Sequence, residues 1–321
     1  MLSVTAVIPC YNAGRFLAQT IESVLAQSRP VSEIVLVDDC STDDSASVAR
    51  RYPIRYFRTA VNSGNAVARN TCLRHAQSDL VAWLDADDYW EPHHVAMVAD
   101  LLERFPEAGA AFGAVNLVGA ARGAAKPRIP EGPPVDFFWE SFWRTPGPQM
   151  AAIARRDAML AIGGYDERMR SGNDFDVWMR FSRRYKLVST HEVTSNYRWH
   201  PGQLSSRPEQ QYRNTYLARR RLLEQVASEG DSALAGEMEQ RMRWIWEQDL
   251  ELCWRKREMS AVRYLLRFDD LVPNPSEAVR RRYARRAWIP GLALKAWDLG
   301  PLGVGKKMLE RVTGRAPTPA R

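Results

Sequence analysis

Residues 81–90 read VAWLDADDYW, an apolar run that ends in three closely spaced carboxylates, Asp85, Asp87 and Asp88. Near-continuous apolar runs are typical of strands that are buried on both faces of a parallel sheet. Carboxylates this close repel one another and raise each other's pKa unless a positive group lies among them. The stretch therefore predicts a central β-strand and, at its carboxyl end, a binding site for a cation.

The residues before this strand alternate between strand-like and helix-like segments. In the helix-like segments apolar residues recur at helical spacing, and Ser41 with Asp44 three residues later is typical of an N-terminal capping box. Such alternation favours a parallel sheet with helices on both faces, so the predicted fold class is α/β with a Rossmann-like, mostly parallel sheet. The predicted strands are 3–10, 33–39, 54–58 and 80–85, and the predicted helices are 13–27, 41–52 and the end of 62–76.

The pattern changes in the last third of the chain. A helix at about 92–104 and a strand at 109–119 continue the first region, whereas the chain looks helical from residue 208 onward. Residues 1–206 have a net charge of −1 and residues 207–321 a net charge of +8. We therefore predict a first domain over 1–206 and a basic, mainly helical C-terminal region over 207–321.

The composition is that of a globular protein, with 45% hydrophobic and 26% charged residues among 321. The four cysteines are far apart and form no CxxC pair, which argues against a disulfide framework or a zinc site and fits a reducing compartment. Neither a signal peptide nor an uninterrupted apolar run of about 18 residues is apparent. We therefore expect a cytoplasmic protein without a transmembrane helix.

Polar residues follow three of the predicted strands. The first strand ends in PCYN (9–12), the second in Asp38 and Asp39, and the fourth in Asp85 to Asp88. One acidic pair alone is typical of a helix cap or a solvated turn, but ligands of open parallel sheets bind beyond the carboxyl ends of the strands. Several acidic strand ends at one edge predict a Mg²⁺ or Mn²⁺ site that shares its ligand shell with substrate phosphates.

Other phosphate-binding folds fit less well. A dinucleotide-binding unit needs G-x-G-x-x-G after the first strand, where this chain has PCYNAG, and no G-x-x-x-x-G-K-[ST] loop is present. The segment VDDCSTDD (37–44) slightly resembles a receiver domain, but the later motifs have no place in one. The segment LDADD (84–88) resembles an aspartyl phosphatase motif, except that Asp88 replaces the expected Thr.

Taken in order, the motifs of residues 3–206 resemble those of the family 2 glycosyltransferases. These are inverting enzymes with the nucleotide-sugar-binding glycosyltransferase A fold. Each motif is weak by itself, but their order is specific, and the last 115 residues resemble no family that we can name. The motifs are VIPCYN (7–12), VDDCSTDDS (37–45), NSGNAVARN (62–70), WLDADD (83–88), GGYDE (163–167), NDFDVWMR (173–180) and YRWHPGQLS (197–205).

The resemblance implies a role for each matching position. Asp39 accepts a hydrogen bond from an N–H of the base, such as uracil offers, and Asp85 binds on the ribose side. Asp174 is the catalytic base, Asp87 holds the Mn²⁺ or Mg²⁺ ion, and His200 is a second metal ligand or lies near the diphosphate. The other implied residues of the nucleotide-sugar site are Pro9, Tyr11, Asn12, Asn62 and Arg69.

The expected function is that of a metal-dependent inverting glycosyltransferase. A metal stabilises the charge of the nucleoside diphosphate leaving group, and a base activates the acceptor hydroxyl. We expect a UDP-linked donor and a glycan or glycolipid acceptor. Asn173 stands where the family usually has Glu, which removes one charge beside Asp174.

Two other functions stay open. One is a non-catalytic relative that binds a nucleotide sugar or a glycan. The other is a sugar nucleotidyltransferase of similar fold, although such an enzyme needs a Gly-rich loop with Arg and Lys after the first strand, which PCYNAG does not supply.

The basic C-terminal region has two interpretations. Residues 280–307 combine an arginine cluster with Trp288, Leu292 and Trp297. Such a segment fits a helical bundle with a solvated basic face, and it also fits docking on an anionic membrane surface, at the inner face of the cell membrane, where a lipid-linked acceptor lies. No nucleic-acid-binding motif accompanies the charge, so we predict no nucleic-acid partner.

Overall fold

The computed structural model describes residues 1–119, 123–200, 208–256, 258–268 and 270–287. Within these ranges the chain forms a mixed, mostly parallel sheet surrounded by helices, which confirms the predicted α/β class. The strands are β1 Val4–Cys10, β2 Glu33–Asp38, β3 Arg55–Arg58, β4 Leu80–Trp83, β5 Tyr89–Trp90, β6 Ala108–Gly119, β7 Gly123–Ala125, β8 Ala152–Arg155 and β9 Lys186–Trp199. The helices are α1 Gly14–Leu25, α2 Ser45–Ala49, α3 Asn65–His75, α4 His94–Arg104, α5 Phe138–Trp143, α6 Arg156–Ala161, α7 Asn173–Ser182, α8 Pro208–Ser228, α9 Ser232–Arg255, α10 Met259–Leu265 and α11 Glu277–Ala287, with a 3-10 turn at Gln149–Ala151.

The strand order across the sheet is β3-β2-β1-β4-β8-β6-β9-β5, and β7 pairs with β6. The first four of these strands are parallel to one another. The short strand β8 is then inserted antiparallel between β4 and β6, and β6 runs parallel to β9. The carboxyl ends of β1, β2 and β4 therefore meet at one edge of the sheet.

Both faces of the sheet are covered, as the apolar runs predict. In β1, Ala6 and Ile8 pack in the cluster that contains buried residues of α1, α2 and α4. Val7 points to the opposite face and packs with residues of α3, α6 and α7. Because successive side chains of a strand point to opposite faces, a strand between two helical layers is mostly apolar on both faces instead of alternating with polar residues.

The predicted capping box at Ser41 is wrong. Helix α2 begins at Ser45, and the side chain of its N-cap residue, Asp44, makes no capping hydrogen bond. The Ser41 hydroxyl instead accepts a hydrogen bond of 2.9 Å from the backbone N–H of Asn12. Ser41 is therefore used to join the loop after β2 to the loop after β1, and this long-range contact outweighs the local capping preference.

The described structure divides into a first unit, Met1–Leu222, and a second unit that begins at Leu223. The expected domain boundary after residue 206 stays a prediction, because residues 201–207 lie outside the described ranges. The second unit is helical, as predicted, and its core includes Trp246, whose indole N–H donates to the carbonyl of Leu265 over 2.9 Å. In the part of the chain that the structure describes, no helix is both long enough and apolar enough to span a bilayer.

Candidate active site

The register of the parallel strands sets the position of the predicted site residues. Cys10 of β1 lies beside Asp38 of β2, and Val7 of β1 lies beside Trp83 of β4. The residues that follow these strands therefore emerge at the same edge of the sheet. The structure brings together the three strand ends that the sequence marks as candidate ligand-binding segments.

The loop after β1 presents one exposed aromatic side chain. Pro9 is buried within β1, whereas the side chain of Tyr11 is 50% exposed. Asn12 adopts a left-handed backbone conformation with a φ of 49°. Its side-chain oxygen accepts a 2.8 Å hydrogen bond from the backbone N–H of Thr42, which ties this loop to the loop after β2.

The two aspartates at the end of β2 have different surroundings. Asp38 is fully buried and accepts bonds from the Tyr56 hydroxyl and the Arg58 guanidinium, so it stabilises the sheet edge. Asp39 orients the loop before α3, since its carboxylate accepts from the Thr59 hydroxyl and from two backbone N–H groups, those of residues 63 and 64, at 2.7–2.9 Å. Asn62 is exposed in this same loop.

Arg69 of α3 joins two segments of the site. Its guanidinium is 3% exposed and donates to Asp85 Oδ1 and to Asn173 Oδ1, each at 2.8 Å. Burial works against the charged form, but the carboxylate of Asp85 raises the pKa of Arg69 above its ordinary value. The contact fixes the first turn of α7 next to the end of β4.

Asp87 forms a pair with His200, which lies just after β9. His200 Nε2 is 3.0 Å from Asp87 Oδ2, and His200 Nδ1 is 3.0 Å from the guanidinium of Arg15 on α1. Burial and the nearby charge of Asp85 raise the pKa of Asp87. Across the described ranges no group of three or more His, Cys, Asp or Glu side chains is arranged to hold a metal ion.

Asp88 is not part of this pair and has a structural role. It is 1% exposed and accepts a 2.8 Å bond from the backbone N–H of Arg198. Its own backbone carbonyl accepts from the Thr20 hydroxyl of α1. Burial, followed by the charges of Asp87 and Asp85, raises its pKa well above the ordinary value. Asp88 therefore connects α1, β9 and the end of β4.

Asp174 lies in the first turn of α7, which begins after Gly172, a residue with a left-handed φ of 70°. Its carboxylate is half-buried and has no hydrogen-bond partner among the residues that the structure describes. Two neighbouring acidic side chains already have partners. Asp176 is ion-paired with Arg180, and Asp166 is ion-paired with two arginines. Asp174 is therefore the carboxylate of this segment that remains available to a ligand.

Sequence reasoning missed the residues that hold the GGYDE segment. The Asn70 amide donates to the carbonyl of Tyr165 and to Glu167, and its oxygen accepts from the N–H of Tyr165 at 2.8 Å. Gly164 has a φ of 64°, and a side chain there would collide with Asn70. The side-chain amide of Gln149 also holds this segment, since it donates a hydrogen bond of 2.8 Å to the hydroxyl of Tyr165. Asn70 belongs to the motif NSGNAVARN (62–70), but the motif does not show that its partner, Tyr165, lies 95 residues away.

Comparison with known sequences gives two overlapping family matches. A family described as Glycosyl transferase family 2 matches residues 5–159, and one described as Glycosyltransferase like family 2 matches residues 139–236. Together the matched segments include every candidate residue named above.

Individual relatives agree with this assignment. The putative teichuronic acid biosynthesis glycosyltransferase TuaG of Bacillus subtilis is 43% identical over 93 residues, 27% of this chain and 37% of the relative. The putative glycosyltransferase EpsE of the same species is 30% identical over 189 residues, 56% of this chain and 66% of the relative. The succinoglycan biosynthesis protein ExoU of Rhizobium meliloti is 32% identical over 213 residues, 58% of this chain and 59% of the relative. The chain thus spans between about a third and two thirds of the lengths of these relatives.

Solved structures show the same fold. The S. aureus TarS 1–349 structure in complex with UDP-GlcNAc superposes with a TM-score of 0.68 at 17% identity, and the match covers 89% of this chain and 88% of TarS. The mannosyltransferase PcManGT of Pyrobaculum calidifontis, in complex with GDP-Man and Mn²⁺, gives a TM-score of 0.53 at 21% identity over 98% of this chain and 80% of the other. The fold is that of the glycosyltransferase A enzymes, as the sequence motifs predict.

Proposed function

The chain belongs to glycosyltransferase family 2, and from this we propose that it transfers a sugar from a UDP-linked donor to a hydroxyl of a glycan or glycolipid acceptor, with metal assistance and inversion. One observation carries the proposal. Asp174 presents a carboxylate without a protein partner among the described residues, and the Arg69–Asn173 bond fixes the start of its helix beside Asp85. This arrangement supports Asp174 as the base, next to the strand ends that we assign to the donor.

The donor binds at the edge formed by the loops after β1 and β2. Asp39 is oriented by three hydrogen bonds, and because a carboxylate offers about four acceptor positions, one remains for an N–H of the base. The exposed ring of Tyr11 stacks on the base, and Pro9 and Asn12 shape the same pocket. Asn62 lies in the loop that Asp39 orients, and Asp85 takes the ribose side.

The residues near Asp87 fit a divalent cation. A carboxylate and an imidazole suit Mn²⁺, which leaves the rest of its ligand shell to water and the donor diphosphate, and the same holds for Mg²⁺ with more oxygen ligands. Burial and the nearby charge of Asp85 raise the pKa of Asp87, and a bound cation would offset both effects. When bound, the ion neutralises charge that develops on the diphosphate.

Asp174 supplies the proton acceptor of the reaction. The acceptor oxygen forms its bond to the anomeric carbon while the bond from that carbon to the diphosphate oxygen breaks. The proton of the acceptor hydroxyl moves to the carboxylate of Asp174. Direct attack from the face opposite the leaving group inverts the anomeric centre, and no covalent intermediate with the protein forms.

Two measurements test this function. First, UDP, GDP and dTDP sugars are screened with and without Mn²⁺ for a rise in melting temperature, since a ligand that binds only the folded state stabilises it. Second, Asp174→Asn should retain donor affinity but lose about 10²–10⁴-fold in transfer rate, because the amide cannot accept the proton. Asp157→Asn is the matched control, because that carboxylate is 98% exposed and belongs to none of the segments assigned to the site.

The outcomes separate the candidate functions. Donor binding with no sugar transfer or hydrolysis by the unaltered protein would favour the non-catalytic relative. Formation of a nucleotide sugar from a sugar phosphate and a nucleoside triphosphate would favour the nucleotidyltransferase. A rate for Asp174→Asn above about a tenth of the original would show that the base lies elsewhere.

For the C-terminal region, we extend the proposal to an anionic membrane surface at the inner face of the cell membrane, where a lipid-linked acceptor is available. Helix α11 has arginines at 280, 281 and 282, whereas residues 288–307 of the predicted docking segment lie outside the described ranges. Replacing Arg281 and Arg282 with Gln should lower partitioning onto phosphatidylserine vesicles about tenfold or more. The control replaces Arg74 and Arg104, and equal co-sedimentation of the two double variants would contradict the docking.

A further inference from the structure

Arg15 is an exposed residue in the first turn of α1, directly after the loop that contains Tyr11. Its guanidinium lies 4.3 Å above the ring of Phe16, and one of its nitrogens is 3.0 Å from His200 Nδ1. The His200 ring also packs against Phe16, at 5.0 Å between centroids. The arginine is therefore held in a defined position beside the Asp87–His200 pair.

This contact fixes the tautomer of His200. A guanidinium group has only donors, so Nδ1 must be the accepting nitrogen of the imidazole. The ring proton then lies on Nε2, which donates to Asp87 Oδ2 over 3.0 Å. Hydrogen-bond donation thus runs in one direction, from Arg15 through His200 to Asp87.

A metal ion on Asp87 and His200 requires the opposite tautomer. Nε2 must present its lone pair to the ion, which places the ring proton on Nδ1. That proton would face the N–H of Arg15, and two donors cannot bond to each other. Metal binding therefore breaks the contact between Arg15 and His200 and leaves the guanidinium charged, since it does not lose its proton in proteins.

The released guanidinium has the chemistry of a phosphate ligand. Among the described residues, His200 is the one hydrogen-bond partner of Arg15, and most of the N–H groups of Arg15 have no acceptor among those residues. Arginine forms two parallel bonds to phosphate oxygens, and the Phe16 ring beneath supports its plane. A donor diphosphate that shares a metal ion with His200 would lie next to the same imidazole ring.

We propose that Arg15 is a diphosphate-binding residue of the donor site, which exchanges its bond to His200 for bonds to the β-phosphate when the metal and the nucleotide bind. This inference rests on the proposed function, because it assumes a nucleoside diphosphate and a cation at Asp87 and His200. It adds a positive side chain that stabilises the leaving group together with the ion.

The experiment measures three affinities by calorimetry on the full chain. The ligands are Mn²⁺ alone, UDP with Mn²⁺ and UMP with Mn²⁺, with GDP and GMP or dTDP and dTMP as replacements if the screen favours another base. The variants are Arg15→Ala and Arg15→Lys. Arg104→Ala is the matched control, because Arg104 is an exposed arginine that also lies over the ring of its neighbour, Phe105, at 5.5 Å.

For Arg15→Ala we expect the diphosphate to bind about tenfold or more weakly, as the loss of charge-assisted bonds implies, while the monophosphate changes by less than about twofold. Mn²⁺ alone should bind at least as tightly as in the unaltered protein, since the competing bond to His200 is gone. Arg15→Lys should be intermediate, because it keeps the charge without the paired donors. Arg104→Ala should match the unaltered protein with all three ligands.

Other results would overturn the inference. Equal weakening of the diphosphate and the monophosphate would show that Arg15 only supports the loop after β1. An unchanged diphosphate affinity, or weaker Mn²⁺ binding, would remove Arg15 from the donor site while leaving the proposed function intact. A failure of the unaltered protein to bind any of the three nucleoside diphosphates would instead contradict the proposed function itself, and the Arg15 inference with it.

Discussion

Replacement of Arg69 by methionine tests whether the buried guanidinium holds the active-site helix in place. The side chain is 3% exposed, and its bonds to Asp85 and Asn173 connect the end of β4 to the start of α7. Methionine has a similar length and fills most of the space, so the substitution removes the two hydrogen bonds and the charge without creating a large cavity.

The expected loss in free energy of unfolding depends on how exposed the two acceptors, Asn173 and Asp85, are to water. Asn173 is 4% exposed, so its amide oxygen loses its donor in a site with little water, at a cost of about 1–3 kcal/mol. The side chain of Asp85 is 29% exposed and keeps part of its hydration, so its cost lies below the 3–5 kcal/mol of a fully buried pair. The loss in free energy of unfolding should be about 3 kcal/mol, or roughly 6–12 °C in melting temperature for a unit of this size.

The assay is thermal unfolding of the full chain followed by circular dichroism, with Arg74→Met as the control. Arg74 lies on the same helix, but its side chain is 58% exposed and 3.5 Å from Glu167, an arrangement that contributes less than about 1 kcal/mol. Because the same substitution is made at both positions, the difference in melting temperature separates the effect of a buried ion pair from that of a surface ion pair. A melting temperature for Arg69→Met within about 2 °C of the control would refute the reasoning.

Two further predictions concern stability. Gly164→Ala should cost about 1–3 kcal/mol more than Gly163→Ala in urea unfolding, because both glycines have positive φ but only an added side chain at 164 meets Asn70; equal midpoints would contradict this. Burial lowers the pKa of His94 to about 3, so the unfolded chain binds its proton first and stability falls as the pH drops below about 6.5. By pH 5 the loss due to His94 should be about 2 kcal/mol, and the fall in stability between about pH 7 and pH 5 should be smaller by that amount in His94→Gln.

The fold around β1, β2 and β4 follows closely from the sequence, because each of these strands is an apolar run between two helical layers. The same argument fails for β8. Its four residues, Ala152–Arg155, have no pattern that identifies their neighbours, and they pair antiparallel with β4 and β6. Pairing of so short a segment is decided by the space left between two longer strands, which local sequence does not contain.

The candidate site, like the fold, could be predicted from the sequence only in part. The meeting of the strand ends could be predicted, since parallel strands place their carboxyl ends at one edge. The contacts across the site could not, because their partners are separated by long stretches of chain. Arg69 and Asn173 are 104 residues apart, and Arg15 and His200 are 185 apart. The sequence marks these residues as polar or basic, but only the folded chain shows which of them bond to each other.

The position of β8 has a consequence for synthesis on the ribosome. Strand β4 is complete by residue 83, yet the neighbour that covers its second edge is made about 70 residues later, and β6 waits for both β8 and β9. At about 5–20 residues per second, the nascent chain exposes an apolar, unpaired strand edge for several seconds. Exposed edges of this kind pair with other chains, so a fragment that stops before residue 152 should accumulate as aggregate. Synthesis of β8 therefore also ends the interval in which the open edge of β4 can pair with other chains.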